Sequence, residues 1–368
     1  MKIGVLTSSR ADFGIYLPLL QRLKKDVFFQ LEIIAFGTHL SEEHGYTISE
    51  IELYDLGAIH KIVTLPVSDS PKDITKSIGE TTKSFADFWS KQEFDLVFCL
   101  GDRFEMFAAV SSGTPFNFNF AHIHAGETTL GAIDNAYRHA ISLFSSYLFV
   151  STNEYKKRAE EIVEKSVPVY NVGALSIDNL SKINYLTKQD FKSKFDIDLS
   201  KPTILSTFHP ETVSYERNEA HIRELLSSFD ELKEKYQIVI TMPNTDTMGQ
   251  MIRDAINEYK LNNPEIILIE SFGMLGYLTC MKYCSFLLGN TSSGFVEASY
   301  FPKFVVNIGD RQKGRVETKN IYTIPISESK ILETVKEIEN SSYLENEKVY
   351  GEGNSSKKII EILKEIKI

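Results

Sequence analysis

Short apolar runs along this chain alternate with longer segments in which apolar residues recur every third or fourth position. In the first half, KIGVLTS (2–8), LEIIAFG (31–37), KIVTL (61–65), DLVFCLG (95–101) and FNFAHIHA (118–125) read as buried strands. Residues 12–25, 70–91 and 103–113 read as helices between them. In the second half, TILSTF (203–208), QIVITMP (237–243), EIILIE (265–270), SFLLGN (285–290) and KFVVNIG (303–309) repeat the rhythm. Strands that are apolar throughout and alternate with amphipathic helices belong to parallel sheets covered on both faces. The stretch 171–202 is polar, rich in Lys, Asp and Ser, and lacks a strand pattern, so it reads as an interdomain connection. SSKKIIEILKEIK (355–367) predicts a C-terminal amphipathic helix. The pattern predicts an α/β protein of two doubly wound domains. They cover residues 1–172 and residues 173–353.

The 368-residue length fits two domains better than one. A formal net charge of −10 argues against a bare nucleic-acid binder, while a few local arginines can still hold a small anion. The N-terminus opens on a strand pattern with no secretory signal core, and no stretch reaches membrane-spanning length, so a cytoplasmic protein with no membrane partner is expected. Cys99, Cys280 and Cys284 form neither a disulfide framework nor a zinc spacing, and read as structural thiols of a reducing compartment.

Ligands of open α/β sheets bind outside the carboxyl ends of the strands. The polar clusters fall there: SSRADFG, THLSEEHG, GDRFE and HAGETT in the first half, HPET, GNTSSGFVE and GDRQKGR in the second. Two domains presenting such ends suggest one cleft. In SSRADFG, Arg10 and backbone N–H groups suit a phosphate or carboxylate, and Asp12 equally suits a helix cap. The stretch is not GxGxxG, and no Walker motif exists, so neither NAD nor ATP is expected. Asp102 either caps the helix after GDR or serves as an acid or base. His122 and His124 fall on one strand face at period two. With Glu127 or Asp134 they lack a recognised metal spacing, so no metal is expected. Arg138 either pairs with Asp134 at i,i+4 or helps a helix start hold an anion. Pro210 restricts His209 to an extended conformation. The strongest phosphate signal is Asn290, Thr291, Ser292, Ser293 and Gly294 between a strand and a helix. Glu297 there can accept both hydroxyls of a ribose. With Arg311 and Arg315 after the next strand, the set predicts a nucleoside-diphosphate site.

The order SRADFG, THL, GDRFE, HIHAGE, GAIDNAYRHAI, HPET, GNTSSG, NIGDRQKGR resembles the UDP-N-acetylglucosamine 2-epimerases over about residues 1–325. It is most similar to the hydrolysing branch. The resemblance implies a GT-B architecture, two Rossmann-like domains facing a central cleft, with the C-terminal helix 354–368 packing back on the first. It implies that Thr291 and Ser292 hold phosphate, Glu297 the ribose, and Arg311 and His209 the diphosphate region, with Arg10 approaching from the first domain. Asp102, Asp134, Arg138 and His39 would line the sugar side, with Asp102 and Asp134 as the main acid/base pair. Many relatives carry glutamate where this chain has His124, and an imidazole there remains an acid/base candidate. Non-hydrolysing members tend to have a GLRT-type run where this chain has GETT. The implied reaction converts UDP-N-acetylglucosamine to N-acetylmannosamine and UDP through 2-acetamidoglucal, with no redox cofactor and no metal in the chemistry. The alternatives are the 2,4-diacetamido-2,4,6-trideoxy sugar nucleotide of the legionaminic acid pathway, and the non-hydrolysing reaction. A homodimer or homotetramer is the implied assembly.

Overall fold

The computed structural model describes residues 1–42, 45–64, 70–180, 182–213, 215–243, 249–341 and 347–366. It divides into two compact units, each built on one parallel sheet. The first unit comprises Met1–Glu127, Asp134–Ser181 and Val349–Ile368, the second Thr128–Ile133 and Lys182–Lys348.

The first sheet contains β1 (Lys2–Thr7), β2 (Gln30–Ala35), β3 (Ala58–Lys61), β4 (Leu96–Leu100), β5 (Phe120–Ile123), β6 (Tyr147–Val150) and β7 (Val169–Asn171). Its order is β3-β2-β1-β4-β5-β6-β7. Register pairs Lys2 with Gln30 and Ile3 with Leu96. Alternate residues of β1 and β4 feed opposite cores. Ile3, Val5, Leu96 and Phe98 face one side, Leu6, Val97 and Cys99 the other. Burial on both faces explains why these strands are apolar without alternation. Helix Arg10–Lys25 opens with a reciprocal cap: Ser9 Oγ accepts from Asp12 N, and the Asp12 carboxylate accepts from Ser8 N and Oγ.

The second sheet contains β8 (Thr203–Thr207), β9 (Gln237–Thr241), β10 (Ile267–Ile269), β11 (Phe286–Gly289), β12 (Phe304–Ile308) and β13 (Ile321–Ile324), in the order β10-β9-β8-β11-β12-β13. Both sheets follow the doubly wound Rossmann pattern. Among the described residues, no helix is long and apolar enough to cross a membrane.

The edge strand expected at 61–65 lies at Ala58–Lys61 instead, and Leu65 falls outside the described residues. The short strands β6, β7 and β13 extend the sheets beyond the predicted set. The supposed connection 171–202 is largely structured. It holds the end of β7 and the helices Ile177–Leu180 and Lys188–Phe195. Phe191 of the latter is buried in the second unit's core. Compared with expected divisions at 172/173 and 353/354, the first unit continues to 181 and takes up 349–353. Ala174 N donates to Tyr350 O at 2.8 Å, which holds those two segments together.

In each sheet the crossovers reverse direction between two central neighbours, β1 and β4 in the first, β8 and β11 in the second. Such switch points open the crevices where ligands of this fold bind. Ser8, Arg10 and Asp102 follow β1 and β4. His209 and the run from Asn290 follow β8 and β11.

Candidate active site

In the first unit, Arg138 draws the polar residues together. It lies one turn into helix Asp134–Leu143 with a side chain only 3% exposed. Nη2 donates to the Asp102 carboxylate, Nη1 donates to His124 O at 3.0 Å, and Nη1 lies 3.7 Å from Glu127 Oε2. The guanidinium thus turns to Asp102 rather than back to Asp134 at i,i+4. Asp102 does not cap a helix, since Arg103 occupies the cap position and the Asp102 carboxylate is committed to Arg138. Gly101, at φ +76°, makes the turn that presents it.

His122 and His124 do not share a strand face. β5 ends at Ile123, and His124 has φ +66°, a conformation rare for a residue with a Cβ. His122 is fully buried, with Nε2 2.8 Å from Gly101 O and Nδ1 3.0 Å from Ser142 Oγ. A carbonyl only accepts, so neutral His122 carries its proton on Nε2 and fixes the turn beside Asp102.

His39 is likewise no open ligand of the sugar side. It is buried, with Nε2 2.9 Å from Thr7 Oγ1 and Nδ1 2.8 Å from Thr47 Oγ1. It braces the end of β1. Arg10 stands at the surface, 3.6 Å from Glu50. Asp134, partly buried, begins its helix.

The two buried imidazoles give a pH dependence. Burial pushes His39 down to about 4 and His122 to about 3, from an ordinary 6.5. Below that ordinary value the unfolded chain binds protons that the folded protein refuses. Stability therefore falls as pH drops from about 6.5 toward 4 and 3, and these residues add no pH dependence above about 7.5. Urea midpoints measured from pH 8 to 5 should decline below 6.5, and His39→Gln should remove part of that decline.

In the second unit, the Asn290 side chain is consumed by the main chain of His209: Oδ1 accepts from His209 N at 2.7 Å and Nδ2 donates to His209 O at 2.8 Å. Asn290 is fully buried and positions His209 rather than reaching a ligand itself. Gln312 Nε2 donates to Asn290 O at 2.8 Å, and Gln312 Oε1 accepts from Arg315 Nε at 2.6 Å. Glu211, also buried, accepts from Asp310 N at 2.7 Å, which ties the loop carrying Arg311 to the loop carrying His209. Sequence reasoning passed over Gln312 and Glu211, although both lie inside the quoted clusters; only their burial reveals the role.

The GNTSSG run does not enter a long helix. Ser292–Gly294 is a single 3-10 turn, and Glu297 opens the four-residue helix Glu297–Tyr300. A short turn supplies fewer aligned N–H groups than the expected helix start. Its hydroxyls are arrayed instead: Thr291 Oγ1 lies 3.2 Å from Ser293 Oγ, which lies 2.6 Å from Tyr277 Oη.

Residues 128–133 belong to this unit although their neighbours in sequence belong to the other. Leu130 N donates to Lys313 O at 3.0 Å, and Thr212 N donates to Gly131 O at 3.2 Å. A Cβ on Gly131 would come within 2.6 Å of the Asp310 and Arg311 main chain, so only glycine permits this approach.

The sequence profile described as UDP-N-acetylglucosamine 2-epimerase matches residues 21–364. The chain belongs to the UDP-N-acetylglucosamine 2-epimerase family. A Campylobacter jejuni relative named GDP/UDP-N,N'-diacetylbacillosamine 2-epimerase (hydrolyzing) is 34% identical, over 94% of this chain and 89% of its own. A Legionella pneumophila relative named UDP-N,N'-diacetylbacillosamine 2-epimerase (hydrolyzing) is 31% identical, over 99% and 96%. These relatives put the chain in the hydrolysing branch of the epimerase family. The crystal structure of the Neisseria meningitidis UDP-GlcNAc 2-epimerase bound to UDP-GlcNAc covers 100% of both chains with a TM-score of 0.83 at 20% identity. The two Rossmann-like domains described above are thus the GT-B fold of the epimerases.

Proposed function

We propose that the protein is a hydrolysing 2-epimerase of a UDP-linked 2-acetamido sugar, converting UDP-N-acetylglucosamine to N-acetylmannosamine and UDP. The observation that carries this reading is the buried guanidinium of Arg138, which gathers Asp102, Glu127 and the His124 turn at the strand ends of the first sheet. Inversion at C2, beside the anomeric carbon, needs such a set. A base takes the C2 proton while the C1–O bond breaks and UDP departs, leaving 2-acetamidoglucal. Water then adds its oxygen to C1, and an acid returns a proton to the opposite face of C2. Asp102 and Asp134 serve as the acid/base pair. Thr291, Ser292, Arg311, Arg315 and His209 hold the diphosphate, and Glu297 accepts the ribose hydroxyls. Asp102→Asn and Asp134→Asn should each lower turnover about a hundredfold or more, while UDP still binds. Near-normal turnover in both variants would remove the pair from the mechanism.

A second reading takes UDP-N,N'-diacetylbacillosamine as substrate, and the names of the Campylobacter and Legionella relatives favour it. Proton NMR in D2O separates the two. With UDP-N-acetylglucosamine, free N-acetylmannosamine deuterated at C2 with UDP released supports the first reading. Turnover of the diacetamido substrate alone supports the second, and a UDP-linked epimer would mean that water plays no part.

A further inference from the structure

Glu127 lies in the turn that follows β5. Its side chain is 2% exposed, among protein groups. Oε1 accepts from Ser151 Oγ at 3.2 Å and lies 3.7 Å from His124 Nδ1, and Oε2 lies 3.7 Å from Arg138 Nη1. The main chain is shaped for this. His124 and Gly126 both take left-handed conformations, φ +66° and +71°, so the turn curls until the imidazole and the carboxylate face each other. A Cβ at Gly126 would stand 2.2 Å from Tyr155 O, so the turn is seated directly on helix Asn153–Ile162. Two unusual backbone conformations in one short turn are kept only where the surroundings enforce them.

We propose that Glu127 is a positioning residue that fixes a proton on Nδ1 of His124 and raises the imidazole's proton affinity, so that the pair does the work of a single carboxylate. This rests on the reading of the site as a 2-epimerase. A carboxylate 3.7 Å from Nδ1 favours a proton there by its charge, which leaves Nε2 for proton transfer. Of the groups around His124, the carboxylates act in the same sense and Arg138 against it. From the helix Asp134–Leu143 comes Arg138, from the turn after β4 comes Asp102, from β5 comes neutral His122, and from its own turn comes Glu127. One cation stands against two carboxylates, and a proton on His124 balances them. A lone imidazole beside Arg138 would instead be driven toward its neutral form.

The test is the titration of His124 by NMR of histidine-labelled protein, with its signal assigned by loss in His124→Gln. In Glu127→Gln the His124 midpoint should fall by about one pH unit or more. In the turnover assay the limb of the pH profile set by His124 should move the same way, with kcat down about a hundredfold and KM changed less than threefold. A merely structural Glu127 would leave the His124 midpoint in place, and that result overturns the proposal. If Glu127→Gln does not fold, Glu127→Asp is read by the same titration, with a smaller downward shift expected and an unmoved midpoint again decisive against it. The titration needs no substrate, so absent turnover of every UDP-sugar would overturn the epimerase reading without touching this result.

Discussion

Replacing Arg138 with methionine should lower turnover about a hundred- to a thousandfold and destabilise the fold by about 3–5 kcal/mol. The stability loss follows from burial. Arg138 and Glu127 have side chains 3% and 2% exposed, so removing the cation strands a carboxylate where water reaches it poorly. Asp102, 23% exposed, keeps some hydration and contributes less. The turnover loss follows from geometry. One guanidinium holds the turn after β4 and the turn after β5 at once, through Asp102 and the His124 carbonyl. Lysine carries the charge but not the planar fork that reaches several acceptors. Arg138→Lys should therefore recover part of the stability and little of the turnover. Urea unfolding followed by circular dichroism, beside the NMR assay, measures both. An unchanged urea midpoint in Arg138→Met would mean that the cluster is solvated and contributes little.

The sequence revealed the strand ends because a strand buried on both faces is an apolar run, and the polar residues after such a run stand out. Asp102, His124 and His209 could be named for that reason, and Arg138 as a cation on the helix that follows. What each does was less accessible. Arg138 had a local candidate in Asp134, four residues back, but its partner is Asp102, 36 residues away in sequence and brought near by the pairing of β4 with β5. His124 broke the period-two expectation because the strand stops one residue earlier, and nothing in HIHAGE announces a left-handed histidine. His39 and Asn290 looked like ligands because polar residues at strand ends often are. Both instead satisfy buried neighbours, and only their surroundings make that visible. The edge strand β3 was misplaced for the opposite reason: it is half exposed, so its apolar pattern is weak.

Asp178→Ala should be the most damaging change far from the chemistry, at about 3–5 kcal/mol of stability. Asp178 lies in the stretch whose polarity suggested an open connection, yet it is fully buried. Its carboxylate accepts from Ser355 N at 2.7 Å, from Ser356 N at 2.8 Å, and from Ser356 Oγ. It thereby caps the C-terminal helix Ser355–Glu365 from another element, in place of a side chain at the helix's own cap position. Alanine would leave those donors buried and unpaired. The helix would then hold to the first unit mainly through Ile359 and Leu363, which complete the core on helix Arg10–Lys25. Arg22 Nε donates to Ser356 Oγ at 2.9 Å and adds one contact, so Arg22→Ala should cost much less. Limited trypsin digestion at Lys357, which is exposed, reads release of the helix directly. Faster cleavage there, with an earlier urea midpoint, is the expected outcome, and wild-type behaviour in both would show that packing alone retains the helix.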